Sequence, residues 1–155
     1  MNENLFIRKA VPADVPIILG LIRELAEFEK LAHELKTTEQ DLHQILFGDN
    51  SFVEVLIAEY NSQVVGYALF FHNFSTFVGK PGLYLEDLYV KPELRSKGIG
   101  KIILEKIISI AKERNCGRVE WSVLDWNTSA IEFYKSRGAI SLDEWTIFRL
   151  TEDKF

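Results

Sequence analysis

Residues 83–101, reading Leu-Tyr-Leu-Glu-Asp-Leu-Tyr-Val-Lys-Pro-Glu-Leu-Arg-Ser-Lys-Gly-Ile-Gly-Lys, constrain this chain more than any other stretch. They read as a strand, then a basic loop carrying glycines, then a long helix beginning near Gly98. Residues 118–123 are β-rich again. A strand, a crossover helix and a second strand in one sheet pair in parallel, with a right-handed crossover. Inside the first strand stand two carboxylates, Glu86 and Asp87, where charge is costly. An anion-binding turn beside a candidate base is the expectation from these residues alone.

The rest of the chain fits around that unit. Residues 5–8 are a short strand, and Asp14 is a candidate cap for a helix in which Ile17, Ile18, Leu21, Ile22, Leu25 and Phe28 recur at helical spacing. Thr38 and Asp41 form the frame of a capping box ahead of a second helix. Residues 52–60 and 64–71 read as a hairpin across Asn61-Ser-Gln63, and 73–82 as a loop. The helix from Gly98 ends at Asn115-Cys-Gly117, with Gly117 as the expected left-handed residue. Asn127 is the candidate cap of a helix ending at Gly138, and 139–150 read as one or two final strands. The order β-α-α-β-β-β-α-β-α-β predicts an α/β (α+β) domain: a mixed central sheet with helices on both faces, spanning 1–155 as a single domain.

Composition excludes several classes. A net charge of −5 argues against a nucleic-acid binder, which carries a basic face. One cysteine, Cys116, permits no intrachain disulfide and points to a reducing compartment. The N-terminus lacks a signal-like apolar run, and no uncharged run of spanning length occurs, so a cytoplasmic protein without a membrane partner is expected. His33, His43, His72 and Cys116 have no metal-ligand spacing, so no metal is expected.

The loop Arg95-Ser-Lys-Gly-Ile-Gly100 with Lys101 precedes a helix whose first N–H groups lack partners, which suits a pyrophosphate; a glycine-rich helix entry with solvated charges fits the same residues. It lacks the Gly-Lys-Ser/Thr ending of a P-loop. Strand alternation puts Glu86 and Asp87 on opposite faces, with Glu86 beside Tyr84, Leu88 and Val90. Glu86 is thus a candidate general base or cation binder, or a sheet carboxylate with a structural partner. Tyr134 is a packed aromatic or a proton donor. No nucleophile elbow occurs, and Cys116 stands at a helix end that does not activate it.

Taken together, Arg95-x-x-Gly-x-Gly100 after Leu88-Tyr-Val-Lys-Pro92, and Trp126-Asn-Thr-Ser-Ala-Ile-Glu-Phe-Tyr-Lys-Ser-Arg-Gly-Ala139, resemble the GNAT superfamily of acetyl-CoA-dependent N-acetyltransferases. Ile7-Arg8, residues 22–29, Val65-Gly-Tyr-Ala68 and Tyr84-Leu-Glu-Asp87 resemble its diamine (spermidine/spermine) and thialysine branch. The resemblance implies a GNAT fold with a splayed-strand cleft between the strands at 83–90 and 118–123. In it, the backbone of Leu88, Tyr89 and Val90 holds the pantetheine of acetyl-CoA. Arg95, Ser96, Lys97, Gly98, Ile99, Gly100 and Lys101 hold its pyrophosphate, and Asn127, Thr128, Ser129 and Ala130 contact its arm. Tyr134 is implied as the acid for the departing thiolate and Glu86 as the base. Phe28, Glu29, Glu86, Glu120, Trp121 and Ser122 match substrate-side positions for a small cationic amine. A homodimer is implied as well. The alternatives are another acceptor (an amino acid, an aminoglycoside-like amine or a protein lysine) and a non-catalytic acyl-CoA-binding protein. One departure stands out. The branch has an acidic residue in the loop before Tyr84, where this chain has Ser75 and no carboxylate between Asn73 and Lys80.

Overall fold

The structure, a computed structural model, describes residues 4–155; the reading of the N-terminus at 1–3 lies outside them. The chain divides into two compact units, 1–122 and 123–155.

The first unit is built on one five-stranded sheet in the order β1 (Leu5–Lys9), β2 (Val53–Tyr60), β3 (Gln63–Ser75), β4 (Lys80–Val90), β5 (Arg118–Glu120). The first three pairings are antiparallel and β4–β5 is parallel, as a crossover through α3 (Ile99–Glu113) requires. Helices α1 (Val15–Phe28) and α2 (Glu39–Phe47) precede β2. One sheet face, with Val55, Ile57, Tyr67 and Tyr89, packs into a core with Ile18, Leu21, Leu42 and Leu46 of α1 and α2. The alternate residues Leu56, Ala58, Ala68, Phe70, Leu83 and Leu85 are buried too, and α3 lies against β4, β1, β2 and β5 with Ile99, Ile103, Leu104 and Ile107 almost fully covered. Both faces of the sheet are therefore covered by helix, as expected.

Local signals were read correctly where they are self-contained. The capping box closes: Asp41 N–H donates to Thr38 Oγ1 at 3.1 Å and Thr38 N–H to Asp41 Oδ2 at 2.9 Å. Asn61 and Ser62 take positive φ of 51° and 64°, the geometry of a tight hairpin turn. Asp14, in contrast, does not cap α1. Its carboxylate takes two hydrogen bonds from Arg8, at 2.7 and 2.9 Å, and one from Val11 N–H at 2.8 Å. A bidentate charged pair outweighs a single cap bond. Gly117 is not the left-handed residue either. Asn115 takes that conformation at φ 54°, and Gly117 is needed for close approach, since a Cβ there would lie 2.6 Å from Val78 Cγ1.

Three expectations about strands change. Most of the 73–82 loop is strand: β3 and β4 pair out to Ser75 and Lys80, leaving a tip closed by Gly79 N–H onto Ser75 O at 2.8 Å. The strand at 118–123 stops at Glu120.

The second unit holds α4 (Thr128–Ser136), capped as predicted by Asn127, whose side chain accepts from Ala130 N–H at 3.3 Å. The final strands expected at 139–150 are absent among the described residues. Their apolar side chains are exposed, Trp145 by 72% and Phe148 by 91%, so within the second unit the alternating pattern meets no buried face among the described residues.

Candidate active site

The two parallel strands part early. The last β4–β5 pair is Tyr84 with Glu120, and β4 continues to Val90 with β3 alone beside it. On that open edge the backbone groups of Leu88 to Val90 have no β5 partner, so an elongated amide-bearing ligand can pair there as a strand would. Tyr84 and Ser122 bridge the mouth through their hydroxyls, 3.0 Å apart.

Directly after β4 comes the loop to α3. Ser96 and Gly98 have φ of 64° and 79°. Gly98 is the N-cap of α3 and brings no side chain to cap it. The first N–H to close a helical ring is that of Ile102, onto Gly98 O at 3.1 Å. The N–H groups of Ile99, Gly100 and Lys101 therefore stand at the open, positive end of the helix, where they suit an anion. A Cβ on Gly100 would contact Val90 Cγ2 at 3.9 Å, so the strand end and the helix start lie side by side. Of the basic residues, Lys101 pairs with Glu105 at 3.8 Å and Lys97 Nζ lies 5.8 Å from the Tyr60 ring centre. Arg95 donates from Nε to Val90 O at 3.0 Å, and its guanidinium lies over the rings of Phe28 and Tyr89. Arg95 thus works as a strut for the loop more than as a ligand.

The carboxylates are arranged differently from the sequence expectation. Leu69 pairs with Asp87 and Phe70 with Leu85, so Glu86 is an extra residue in a β-bulge. The bulge breaks the alternation that would place Glu86 and Asp87 on opposite faces. Asp87, opposite Leu69 and two residues before Tyr89, lies on the face of Tyr67 and accepts a hydrogen bond from the Tyr67 hydroxyl at 2.8 Å, and it is Glu86 that the bulge re-aims. Its pKa is pushed up to about 6, chiefly by burial, with the neighbouring charges of Glu86 and Glu29 adding to the rise and the Tyr67 bond opposing it. Glu29, just past the end of α1, is also raised, by burial first and then by Glu86. Glu29, Glu86 and Asp87 therefore form one mutually repelling group, and none of them is in an ion pair among the described residues. Such a group gains most from a bound cation.

Sequence reasoning found Glu29 and Glu86 but passed over Asp87 and Tyr67. The signal was present as an acidic doublet inside a strand, which a regular strand cannot accommodate on one face. Around the end of α1, Phe28 meets Arg95 of the loop, and Glu29 feels the charge of Glu86. Glu120 is held by Arg118 at 3.9 Å, and Trp121 and Ser122 follow it at the end of β5. In the second unit, Asn127 to Ala130 form the first turn of α4, and Tyr134 stands on the same helix with its ring 5.3 Å from that of Phe133.

Among the described residues no helix is long and apolar enough to cross a membrane, and no group of His, Cys, Asp and Glu is placed to hold a metal.

The model of the acetyltransferase (GNAT) family matches residues 20–139. The thialysine N-epsilon-acetyltransferase of Sus scrofa is 41% identical over 157 residues, covering 94% of this chain and 92% of the relative. The L-ornithine N5-acetyltransferase of Arabidopsis thaliana is 33% identical over 192 residues, covering 95% and 84%. Among solved structures, an integron cassette protein from the V. cholerae mobile metagenome superposes with a TM-score of 0.81 at 28% identity, covering 97% of this chain and 94% of that one.

Proposed function

The chain belongs to the GNAT acetyltransferase family, and from that premise we propose that it moves an acetyl group from acetyl-CoA to the primary amine of a small cationic acceptor. The observation that carries this reading is the group Glu29, Glu86 and Asp87, three neighbouring carboxylates in no ion pair among the described residues, beside a loop suited to an anion. The family match runs across both compact units, which supports treating 1–155 as one catalytic domain.

Acetyl-CoA supplies the acetyl group as a thioester. The open edge of β4 at Leu88 to Val90 suits the amides of its pantetheine, and the helix start at Ser96 to Lys101 suits its pyrophosphate. Asn127, Thr128, Ser129 and Ala130 are read as contacts to the same arm on the strength of the family motif. An alkylammonium, with a pKa of about 10.4, is protonated at neutral pH and cannot attack a carbonyl. The carboxylate group binds it and accepts one proton, directly or through water, with Glu86 as the base. The freed nitrogen forms the C–N bond as the C–S bond breaks, and the second proton that the new amide nitrogen sheds passes to solvent, from which Tyr134 is reprotonated for the next turnover. Tyr134 gives its proton to the departing thiolate, a role it owes here to residue type and motif position. No nucleophile on the protein is called for, so transfer is direct within a ternary complex.

The acceptor is read as a short amine, of the thialysine or diamine kind. Ser75, at the tip of the β3–β4 hairpin, has its hydroxyl engaged by Val78 N–H at 3.2 Å, and no carboxylate lies between Asn73 and Lys80 to hold a distant second charge. A cytoplasmic location is read from the cysteine content: the lone Cys116 permits no intrachain disulfide, which suits a reducing compartment. A homodimer is supported by the exposed apolar residues of 139–155, which a second copy would cover.

The test is a steady-state panel of thialysine, ornithine, spermidine, spermine and an aminoglycoside, with acetyl-CoA and release of free thiol as the readout. Thialysine or a short diamine should give the highest kcat/KM. Tight acetyl-CoA binding without turnover on any acceptor would leave a binding protein in place of an enzyme.

A further inference from the structure

The geometry points to Tyr67 as the positioning residue that keeps Asp87 ionised and aimed at the acceptor amine, a role that rests on the amine-binding reading above. Tyr67 is completely buried in the core between α1 and the sheet. Phenylalanine would fill that space without a polar atom to satisfy. The hydroxyl finds its partner because Asp87, opposite Leu69 and two residues before Tyr89, shares the Tyr67 face, diagonally across the regular part of the β3–β4 ladder.

The bond has a direction. Burial, aided by the Asp87 charge, raises the Tyr67 pKa, so its hydroxyl stays protonated and can only donate to the carboxylate. Donation favours the charged form of Asp87. Everything else facing Asp87 works the other way: burial, Glu86 on its own strand, and Glu29 from the end of α1. Tyr89, the cross-strand neighbour of Tyr67, gives its own hydroxyl to Glu24 at 3.0 Å and does not relieve Asp87. Tyr67 is thus the single hydrogen-bond donor to Asp87 among the described residues. It engages Oδ2 and leaves Oδ1 for an ammonium. Without it, the repelling neighbours would hold a proton on Asp87 into the neutral range, and a neutral carboxyl binds a cation poorly.

Two measurements on the full chain test this. The first follows the Asp87 carboxyl by carbon NMR against pH, assigned with Asp87→Asn. The second is kcat/KM for thialysine against pH at saturating acetyl-CoA. In Tyr67→Phe the Asp87 midpoint should rise by about one pH unit, a modest value for a lost bond to a charged group. The acid limb of kcat/KM should rise with it, lowering kcat/KM at pH 6 about fivefold and leaving it within about threefold at pH 8.5. An unmoved Asp87 midpoint overturns the proposal, and so does a moved midpoint with an unmoved limb. If Tyr67→Phe does not fold, wild-type protein labelled with 3-fluorotyrosine serves instead. Its more acidic hydroxyl should lower the Asp87 midpoint, and no change overturns the proposal. Failure of the amine reading looks different: thialysine is not turned over by wild type, while the NMR midpoint still responds to the change at Tyr67.

Discussion

The guanidinium carbon of Arg95 lies 4.5 Å from the centre of the Phe28 ring. One residue belongs to the loop at the start of α3 and the other closes α1, next to Glu29. The Tyr89 ring, 5.5 Å from the same guanidinium, completes the stack. The cofactor side and the acceptor side of the proposed site therefore share a physical contact. A partly exposed cation–π contact is worth about 0.5–1 kcal/mol, or a few-fold in affinity. Phe28→Ala should accordingly raise KM for both acetyl-CoA and amine by roughly two- to fivefold. Phe28→Tyr should stay near wild type. A change confined to the amine would show that the contact does not couple the two sides.

Tyr134→Phe should lower kcat on the order of 10²-fold, the usual weight of a positioned proton donor, with little change in either KM. Rapid-quench measurement of the transfer step separates this from slow product release. A kcat within twofold of wild type would remove Tyr134 from the chemistry.

Asp87 should cost stability for the sake of binding. Its folded-state pKa of about 6 lies above its ordinary value, so its contribution is favourable below pH 4 and is lost as pH rises through 6. Two pH units correspond to about 3 kcal/mol at neutral pH, as an order of magnitude. Asp87→Asn should therefore be more stable than wild type at pH 7.5, should lose that advantage towards pH 4, and should acetylate poorly. Urea melts at the two pH values read the difference. Equal stability at both would mean that burial does not strain this carboxylate.

Gly98→Ala should destabilise the chain by about 1–2 kcal/mol, because φ there is 79° and a Cβ disfavours that conformation. For a chain of this length that corresponds to a melting temperature lower by roughly 2–8 °C. Nothing crowds the position, so the loss is conformational, and Gly98→Asn should recover part of it. Calorimetry on the three proteins decides.

Much of the scaffold could be read from the chain alone. Thr38 with Asp41, Asn61 with Ser62, and Asn127 as a cap are signals complete within a few residues, and each appears as read. The parallel β4–β5 pair followed from handedness and connection length. The reading failed where two distant segments compete for one group. Asp14 looked like a cap until Arg8 claimed it across a strand. The 139–150 segment has the alternation of a strand but finds no strand to pair with inside the described chain.

Glu86 and Asp87 mark the boundary most clearly. The sequence by itself determined that two carboxylates stand in a strand ahead of a glycine loop and a helix, because composition and spacing settle such local order. Only the tertiary structure decided that both serve one face. A bulge is a property of pairing: it arises where Leu69 and Phe70 of β3 meet β4 one residue out of step, and no pattern within 83–90 states that register. The β3–β4 pairing that sets this register also brings Tyr67 within 2.8 Å of Asp87, and the bulge adds Glu86, which leaves Glu29, Glu86 and Asp87 to be neutralised together by a cation from outside the chain.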